Sequence, residues 1–190
     1  KSLIDTYFKN NTTLAGHASH HVPFVEHSTG GLGHGLSVGV GITIGMRSKK
    51  INSKVFVVLG DGEMQEGSVW EAAMAAAHHE LGNLKVILDR NRIQNDDFCE
   101  EQMRMFDIPA KWKAFGWNVK EINGHDMTEV MEGLDFLEAP ENCNGPSILI
   151  AHTIKGAGIS YMENNPSFHG AAPNDEQFHQ AMVELGEGEA

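Results

Sequence analysis

The sequence is poor in basic residues and has no long apolar run. Its 190 residues include 14 Lys and Arg against 26 Asp and Glu, which gives a formal net charge of -12 at pH 7. Because nucleic acids and anionic membrane surfaces attract basic patches, we expect this acidic chain to bind neither. No stretch reaches the roughly 18 apolar residues needed to span a bilayer, and no secretory signal is visible.

Cysteine is scarce as well. Cys99 and Cys143 lie far apart, without the spacing of a metal site. We interpret them as reduced thiols, which places the protein in the cytoplasm. The length corresponds to one domain, expected at residues 1–185 and followed by a flexible tail at 186–190. Since the first residue is Lys rather than Met, an upstream segment of this domain is expected to be missing.

Two apolar runs predict a strand–helix–strand unit. The run at 55–59 ends just before Asp61, and the run at 84–88 ends just before Asn91. The Ala-rich segment between them, residues 68–81, has the composition of a helix. In a parallel crossover of this length both strands point the same way, so Asp61 and Asn91 leave the sheet at one edge. Open α/β sheets bind their ligands at that edge.

The residue types at this edge suit a metal ion. One carboxylate, one amide oxygen and a nearby backbone carbonyl form an incomplete oxygen cage for Mg2+ or Ca2+, which phosphate oxygens or water complete. A helix cap at Asp61 and a turn at Asn91 are the alternatives. Gly60 and Gly62 favour a ligand, because glycine lets the backbone turn sharply and approach closely. The sequence therefore predicts a metal–diphosphate site.

The remaining pattern predicts an α/β fold, a parallel sheet flanked by helices on both faces. Ser28 and Thr29 are candidate caps of the first helix, whose repeated glycines cost about 1 kcal/mol each relative to alanine and indicate close packing in a core or interface. The further predicted strands are 117–122 and 147–151, the helices 31–46, 109–115 and 126–137, and the loop 90–107.

Other motifs leave two interpretations open. The glycine-rich turn at 28–33 opens a helix, where an anion binds well, but a plain tight turn explains it equally. Lys155 follows a strand and is expected to meet a phosphate, with a solvated lysine as the alternative. His17 and His169 lie in loops, where functional histidines are common. The histidines crowded into residues 17–34 match no common closed zinc site.

Together these motifs resemble the thiamine-diphosphate-binding half of a transketolase, from about residue 14 onward. The resemblance rests on residues 60–67 with Asn91 and on 28–33, 69–72 and 162–173. The last three segments resemble a separately encoded N-terminal transketolase subunit. The resemblance implies the thiamine diphosphate-binding fold, in its diphosphate-binding domain.

The resemblance also implies roles for the matching residues. Mg2+, for which Ca2+ or Mn2+ can substitute, would be held by Asp61, Asn91 and the Ile93 carbonyl. Gly62 and Asn91 would approach the diphosphate, and His169 would hydrogen-bond it.

Further implied roles concern the reacting end of the cofactor. It would lie against Gly30, Gly31 and Leu32. His17 would face the substrate, and Glu66 would meet an acidic partner residue at the dimer interface, so that both join His169 as catalytic candidates.

The implied activity is transfer of a two-carbon ketol unit from a ketose phosphate to an aldose phosphate, as in the pentose phosphate pathway. The glutamate that activates the cofactor in this superfamily sits on a pyrimidine-binding domain, which we do not find in 190 residues. As partner we therefore expect a C-terminal transketolase subunit, in an assembly built on a homodimer core.

The sequence departs from the family pattern in three places. His34 replaces a usual Gln, Arg92 and residues 95–97 replace a glycine-rich loop, and the family's upstream histidine motifs would precede Lys1. Three alternative functions remain open. The first is that of another thiamine diphosphate enzyme, such as a dehydrogenase E1 component, a deoxyxylulose phosphate synthase or an acyloin-forming ligase. The others are a non-catalytic binding remnant and a zinc protein.

Overall fold

Four parallel strands form one sheet in a computed structural model that describes residues 3–186. The strand order is β1-β2-β4-β3. The strands are β1 Val55–Gly60, β2 Leu84–Arg90, β3 Asn118–Asn123 and β4 Ser147–His152. The helices are α1 His34–Ser48, α2 Gly67–His78, α3 Cys99–Gln102, α4 Ile108–Ala114, α5 Met127–Glu138 and α6 Asp175–Glu184. Among the described residues, no helix is long and apolar enough to cross a membrane.

The predicted crossover is confirmed. β1 and β2 pair in parallel, with Leu59 opposite Leu88 and Gly60 opposite Asp89. Helix α2 connects them close to the predicted bounds. Because the two strands end side by side, the segments that carry Asp61 and Asn91 leave the sheet together.

The main core lies between one face of the sheet and helices α1, α2 and α4. Alternate strand residues such as Leu59 and Val86 point into it, as the period of two in a strand requires. On the opposite face, α5 packs on Leu149. Helices therefore flank both faces, as predicted, but Phe56 and Val58 on that second face remain 47% and 67% exposed.

Helix α1 starts later than predicted, and its caps are different. Gly33 is the N-cap, with φ of 76°, and no side chain caps the helix. Ser28 and Thr29 are therefore not caps: Ser28 Oγ accepts the His20 amide, and the Thr29 hydroxyl donates to the Ala18 carbonyl. Through these hydrogen bonds, the two side chains hold the preceding loop against the turn.

Two helices lie where the sequence pattern predicted none. Helix α3 interrupts the predicted loop at 90–107. Helix α6 begins with a capping box in which Asn174 and Gln177 exchange hydrogen bonds, a local signal that was readable in the sequence. The predicted tail lies outside the described residues, except for Gly186.

The glycines of α1 differ in how closely other residues pack against them. A Cβ at Gly39 would lie 2.6 Å from the Val57 side chain, which confirms close packing on β1. Gly41 and Gly45 face open space in the described part of the chain, so a role in an interface stays a prediction.

Candidate functional site

A cleft of about 490 Å³ opens at the carboxyl edge of β1 and β2. It brings together most of the residues that the sequence singled out, namely Leu32, Asp61, Gly62, Glu66, Asn91, Ile93, Lys155 and His169. Elements from four distant parts of the chain therefore converge where the crossover predicts a ligand site.

Asp61 is the most buried charged group of the cleft, with 1% of its surface exposed. Its Oδ1 accepts the Gly62 amide at 2.8 Å and the Cys99 thiol at 3.4 Å. Its Oδ2 accepts the Arg90 guanidinium at 2.9 Å and the Arg92 amide. Burial, followed by the charge of Asp61, raises the pKa of Cys99 to about 12, so the thiol stays protonated and donates a hydrogen bond to Asp61. These four donors compensate the burial of the carboxylate.

Asn91 is held with its amide oxygen toward the loop that follows β2. Its Nδ2 donates to Asp89 Oδ2 at 2.8 Å, and its Oδ1 accepts the Ile93 amide at 3.0 Å. The other oxygen of Asp89 accepts the Thr153 hydroxyl, which fixes Asp89 in turn. Asp89 therefore orients Asn91, a role that the sequence pattern did not reveal.

Glu63 ties the two glycine-rich turns together. Its Oε1 accepts the Gly33 amide at 2.9 Å, and its Oε2 accepts the Gly60 amide at 3.2 Å. The Ser68 hydroxyl adds a bond to the Gly33 carbonyl at 3.0 Å. The turn that carries Leu32 is thereby fixed against the Gly-Asp-Gly turn. The sequence signal for Glu63 was its place inside the 60–67 motif.

The donor types in the cleft suit a hydrated cation with an attached diphosphate. A Cβ at Gly62 would lie 2.6 Å from the Gln94 side chain, so only glycine leaves room there. The Oε1 of Gln94 is buried without a hydrogen-bond partner in the described chain, and a donor on a bound group or water would satisfy it. The carboxylate, amide and carbonyl oxygens of Asp61, Asn91 and Ile93 are donors that hard cations prefer.

The zinc alternative receives no support from the described residues. Within residues 3–186 no group of three or more His, Cys, Asp or Glu side chains is placed to hold a metal. Cys99 is buried, Cys143 is exposed, and no disulfide joins the two.

His17, Gly30 and Gly31 lie outside the cleft lining. The ring of His17 packs so closely on Gly30 that a Cβ there would lie 2.8 Å from it. Gly30 has φ of 108°, a conformation that glycine adopts readily. Their contacts with cofactor and substrate therefore stay predictions.

His169 is exposed and lines the cleft together with Lys155. Partial desolvation and, second, the Lys155 charge lower the pKa of His169, while Asp96 acts in the opposite direction. At neutral pH the imidazole is therefore uncharged, with one nitrogen available to donate and the other to accept.

Single substitutions of Lys155 and of Asp96 are expected to shift the pKa of His169 in opposite directions. Lys155→Met removes a cation and should raise the pKa of His169, whereas Asp96→Asn removes an anion and should lower it further. An NMR titration of the histidine ring signals measures both shifts, with His78 on α2 as internal control. Shifts of the same sign in the two variants would contradict this placement of charges.

Comparison with known proteins agrees with the predicted family and fold. The chain matches the family described as "Transketolase, thiamine diphosphate binding domain" over residues 2–189. It is 41% identical over 187 residues to one subunit of the apulose-4-phosphate transketolase of Phocaeicola vulgatus, covering 98% of this chain and 66% of that protein. It is 32% identical over 184 residues to the 6-deoxy-6-sulfo-D-fructose transketolase subunit SqwG of Clostridium sp., covering 96% and 66%.

The structural comparison points the same way. The crystal structure of transketolase from Campylobacter jejuni superposes with a TM-score of 0.91 at 26% identity, covering 98% of this chain and 30% of that one. The chain thus spans about two thirds of the length of the subunit relatives. On the family match, the near-complete coverage and the shared fold, the chain belongs to the transketolase family, as a thiamine diphosphate binding domain.

Proposed function

We propose that this chain is the cofactor-anchoring subunit of a transketolase, which moves a two-carbon ketol unit from a ketose phosphate to an aldose phosphate. The observation that carries the proposal is the meeting of Asp61 and Asn91 at one sheet edge, beside Gly62, where only a residue without a side chain fits. The similarity to proteins named as single subunits of a transketolase supports it.

The metal would be Mg2+, with Ca2+ or Mn2+ able to replace it. Asp61, Asn91 and the Ile93 carbonyl would hold it, and diphosphate oxygens and water would fill the other positions. Asp89 keeps the Asn91 amide turned the right way through its hydrogen bond.

The chain's own residues would bind and orient the cofactor. Thiamine diphosphate, when bound, supplies the nucleophilic carbon that carries the two-carbon unit. Gly62 lets the diphosphate approach the backbone. The uncharged His169 donates an N–H to it, and Lys155 balances its charge.

The far end of the cofactor would meet the glycine-rich turn. Leu32, 61% exposed, offers an apolar surface there beside Gly30 and Gly31. His17 would face the substrate from the neighbouring loop.

The active enzyme is proposed to be a cytoplasmic hetero-oligomer. The relatives are named as subunits of their transketolases, which implies a second subunit. We propose that this second subunit carries the pyrimidine-binding domain and its activating glutamate. Glu66 is exposed at the rim of the cleft, where an acidic group of a partner can reach it. The open face of α1 around Gly41 and Gly45 is available for a homodimer core.

A reconstitution assay tests this proposal. We expect the purified chain alone to transfer ketol units at least about a hundredfold more slowly than with the partner subunit, since a missing general acid or base costs roughly 10²–10⁴-fold. Mass spectrometry measures the rate as release of the carbonyl compound that each sugar donor leaves after losing its two-carbon unit, and as carbon dioxide release for a 2-oxo acid. The donors to compare are xylulose 5-phosphate, apulose 4-phosphate and 6-deoxy-6-sulfofructose, with a 2-oxo acid for the E1-like rival. Full activity of the isolated chain would contradict the proposed requirement for a second subunit.

A further inference from the structure

All the acceptor positions of Asp61 are taken by donors of its own chain. An ionised carboxylate offers about four lone-pair sites. Asp61 uses them on the Gly62 and Arg92 amides, the Cys99 thiol and the Arg90 guanidinium. A cation that binds Asp61 must therefore displace at least one of these donors.

Arg90 is the donor best placed to leave. The two amides belong to the backbone, and Cys99 is completely buried. The guanidinium of Arg90, by contrast, already has a second acidic partner, because its Nη2 donates to Glu100 Oε1 at 3.1 Å.

The surroundings of Arg90 also leave it room to move. Its side chain lines a second cavity of about 320 Å³, which Glu100, Glu121 and His152 share. His152 and Glu121 pair with each other at 2.8 Å. Arg90 can therefore turn into this cavity while keeping its bond to Glu100.

Electrostatics favours this displacement. A guanidinium and a divalent cation on the same carboxylate repel each other, and the repulsion is strong where water is excluded. Asp61 is almost completely buried, and the side chain of Arg90 is 11% exposed, so solvent screens this repulsion weakly.

We propose that Arg90 competes with the divalent cation for Asp61, and that the cation releases Arg90 onto Glu100. The inference rests on the proposed function, since it concerns the same metal site. Until a cation binds, the guanidinium supplies the positive charge that a buried carboxylate requires. Arg90 thereby keeps the site folded before loading, and it holds the cation affinity below what the oxygen donors alone would give.

Binding of Mn2+ to the full chain with thiamine diphosphate tests this competition, because free Mn2+ is measured directly by electron paramagnetic resonance. Arg90→Met keeps an aliphatic stem and removes the charge. We expect it to bind Mn2+ roughly tenfold more tightly, because one charge-assisted hydrogen bond no longer has to be broken. Its melting temperature in EDTA should be lower than that of the unsubstituted chain.

Two matched variants separate competition from a general effect of charge or structure. Arg92→Met removes the same charge from a side chain that makes no hydrogen bond to Asp61 in the described chain, and it leaves the Arg92 backbone amide in place. It should change Mn2+ affinity by less than about threefold. Glu100→Gln weakens the alternative partner of Arg90 and should weaken Mn2+ binding by about threefold. The opposite signs for Arg90→Met and Glu100→Gln are the signature, because two purely structural roles would both weaken binding.

The possible outcomes distinguish failure of this inference from failure of the proposed function. Equal or weaker Mn2+ binding by a folded Arg90→Met chain overturns the competition and leaves the proposed function standing. If Arg90→Met does not fold, Glu100→Gln decides, and unchanged or tighter binding overturns the inference. Failure of all four proteins to bind Mn2+ with thiamine diphosphate overturns the proposed function, and the competition with it.

Discussion

Asp61→Asn is expected to weaken binding of Mg2+ and thiamine diphosphate by about a hundredfold or more, because even outer-shell changes at metal sites cost 10–100-fold. The substitution keeps the shape of the side chain but removes the only full negative charge among the three proposed ligands. The amides of Gly62 and Arg92, which now donate to carboxylate oxygens, will also compete for the single remaining amide oxygen. Titration calorimetry with Mg2+ and the cofactor measures the loss.

A control for this substitution lies in the same cleft. Asp96→Asn makes the same chemical change at an exposed residue that lines the cleft outside the proposed ligand set. It should change cofactor affinity by less than about threefold, in keeping with exposed charges. Equal losses in the two variants would mean that general charge, rather than metal ligation by Asp61, holds the cofactor. A melting curve of each variant shows that it is folded.

Gly33→Ala is expected to lower the free energy of unfolding by about 3 kcal/mol, or the melting temperature by roughly 6–12 °C. Gly33 has φ of 76°, which disfavours alanine. The added Cβ would also lie 2.5 Å from Ser68 Oγ and 2.6 Å from Glu66 Cβ, so the turn must move away from α2. That movement breaks the bond between the Gly33 amide and Glu63, so cofactor affinity should fall as well.

Gly35→Ala provides the matched control, two residues farther along. Its Cβ would make only an ordinary contact, 3.8 Å from Val57, and the residue lies in α1. Alanine in a helix is favoured over glycine by up to about 1 kcal/mol, so this variant should be equally or slightly more stable. Differential scanning calorimetry of the two variants makes the comparison. A Gly33→Ala chain as stable as the Gly35→Ala chain would show that the turn tolerates a side chain.

The sheet and its main site residues were predictable from the sequence because they depend on local pattern and chain direction. The apolar runs at 55–59 and 84–88 form the paired strands β1 and β2. A helical connection between neighbouring strands makes them parallel. Asp61 and Asn91 therefore had to leave at the same edge, and no knowledge of packing was needed to place them together.

The start of α1 was not predictable in the same way. Ser28 and Thr29 have the side chains of good caps, but their hydrogen bonds go to the preceding loop. Gly33 is the N-cap instead, and its amide bonds to Glu63, thirty residues away. Local propensity cannot foresee a partner that only folding brings near.

Residue pattern alone thus determined the parallel crossover and the sheet edge at which Asp61 and Asn91 meet, since each follows from strand direction. Tertiary structure alone decided which groups hold these two side chains in place. Arg90 pairs with Asp61, and Glu63 joins two turns, because loops from separate parts of the chain pack together at that edge. The geometry of such loops depends on long-range packing, which carries no periodic signal in the sequence.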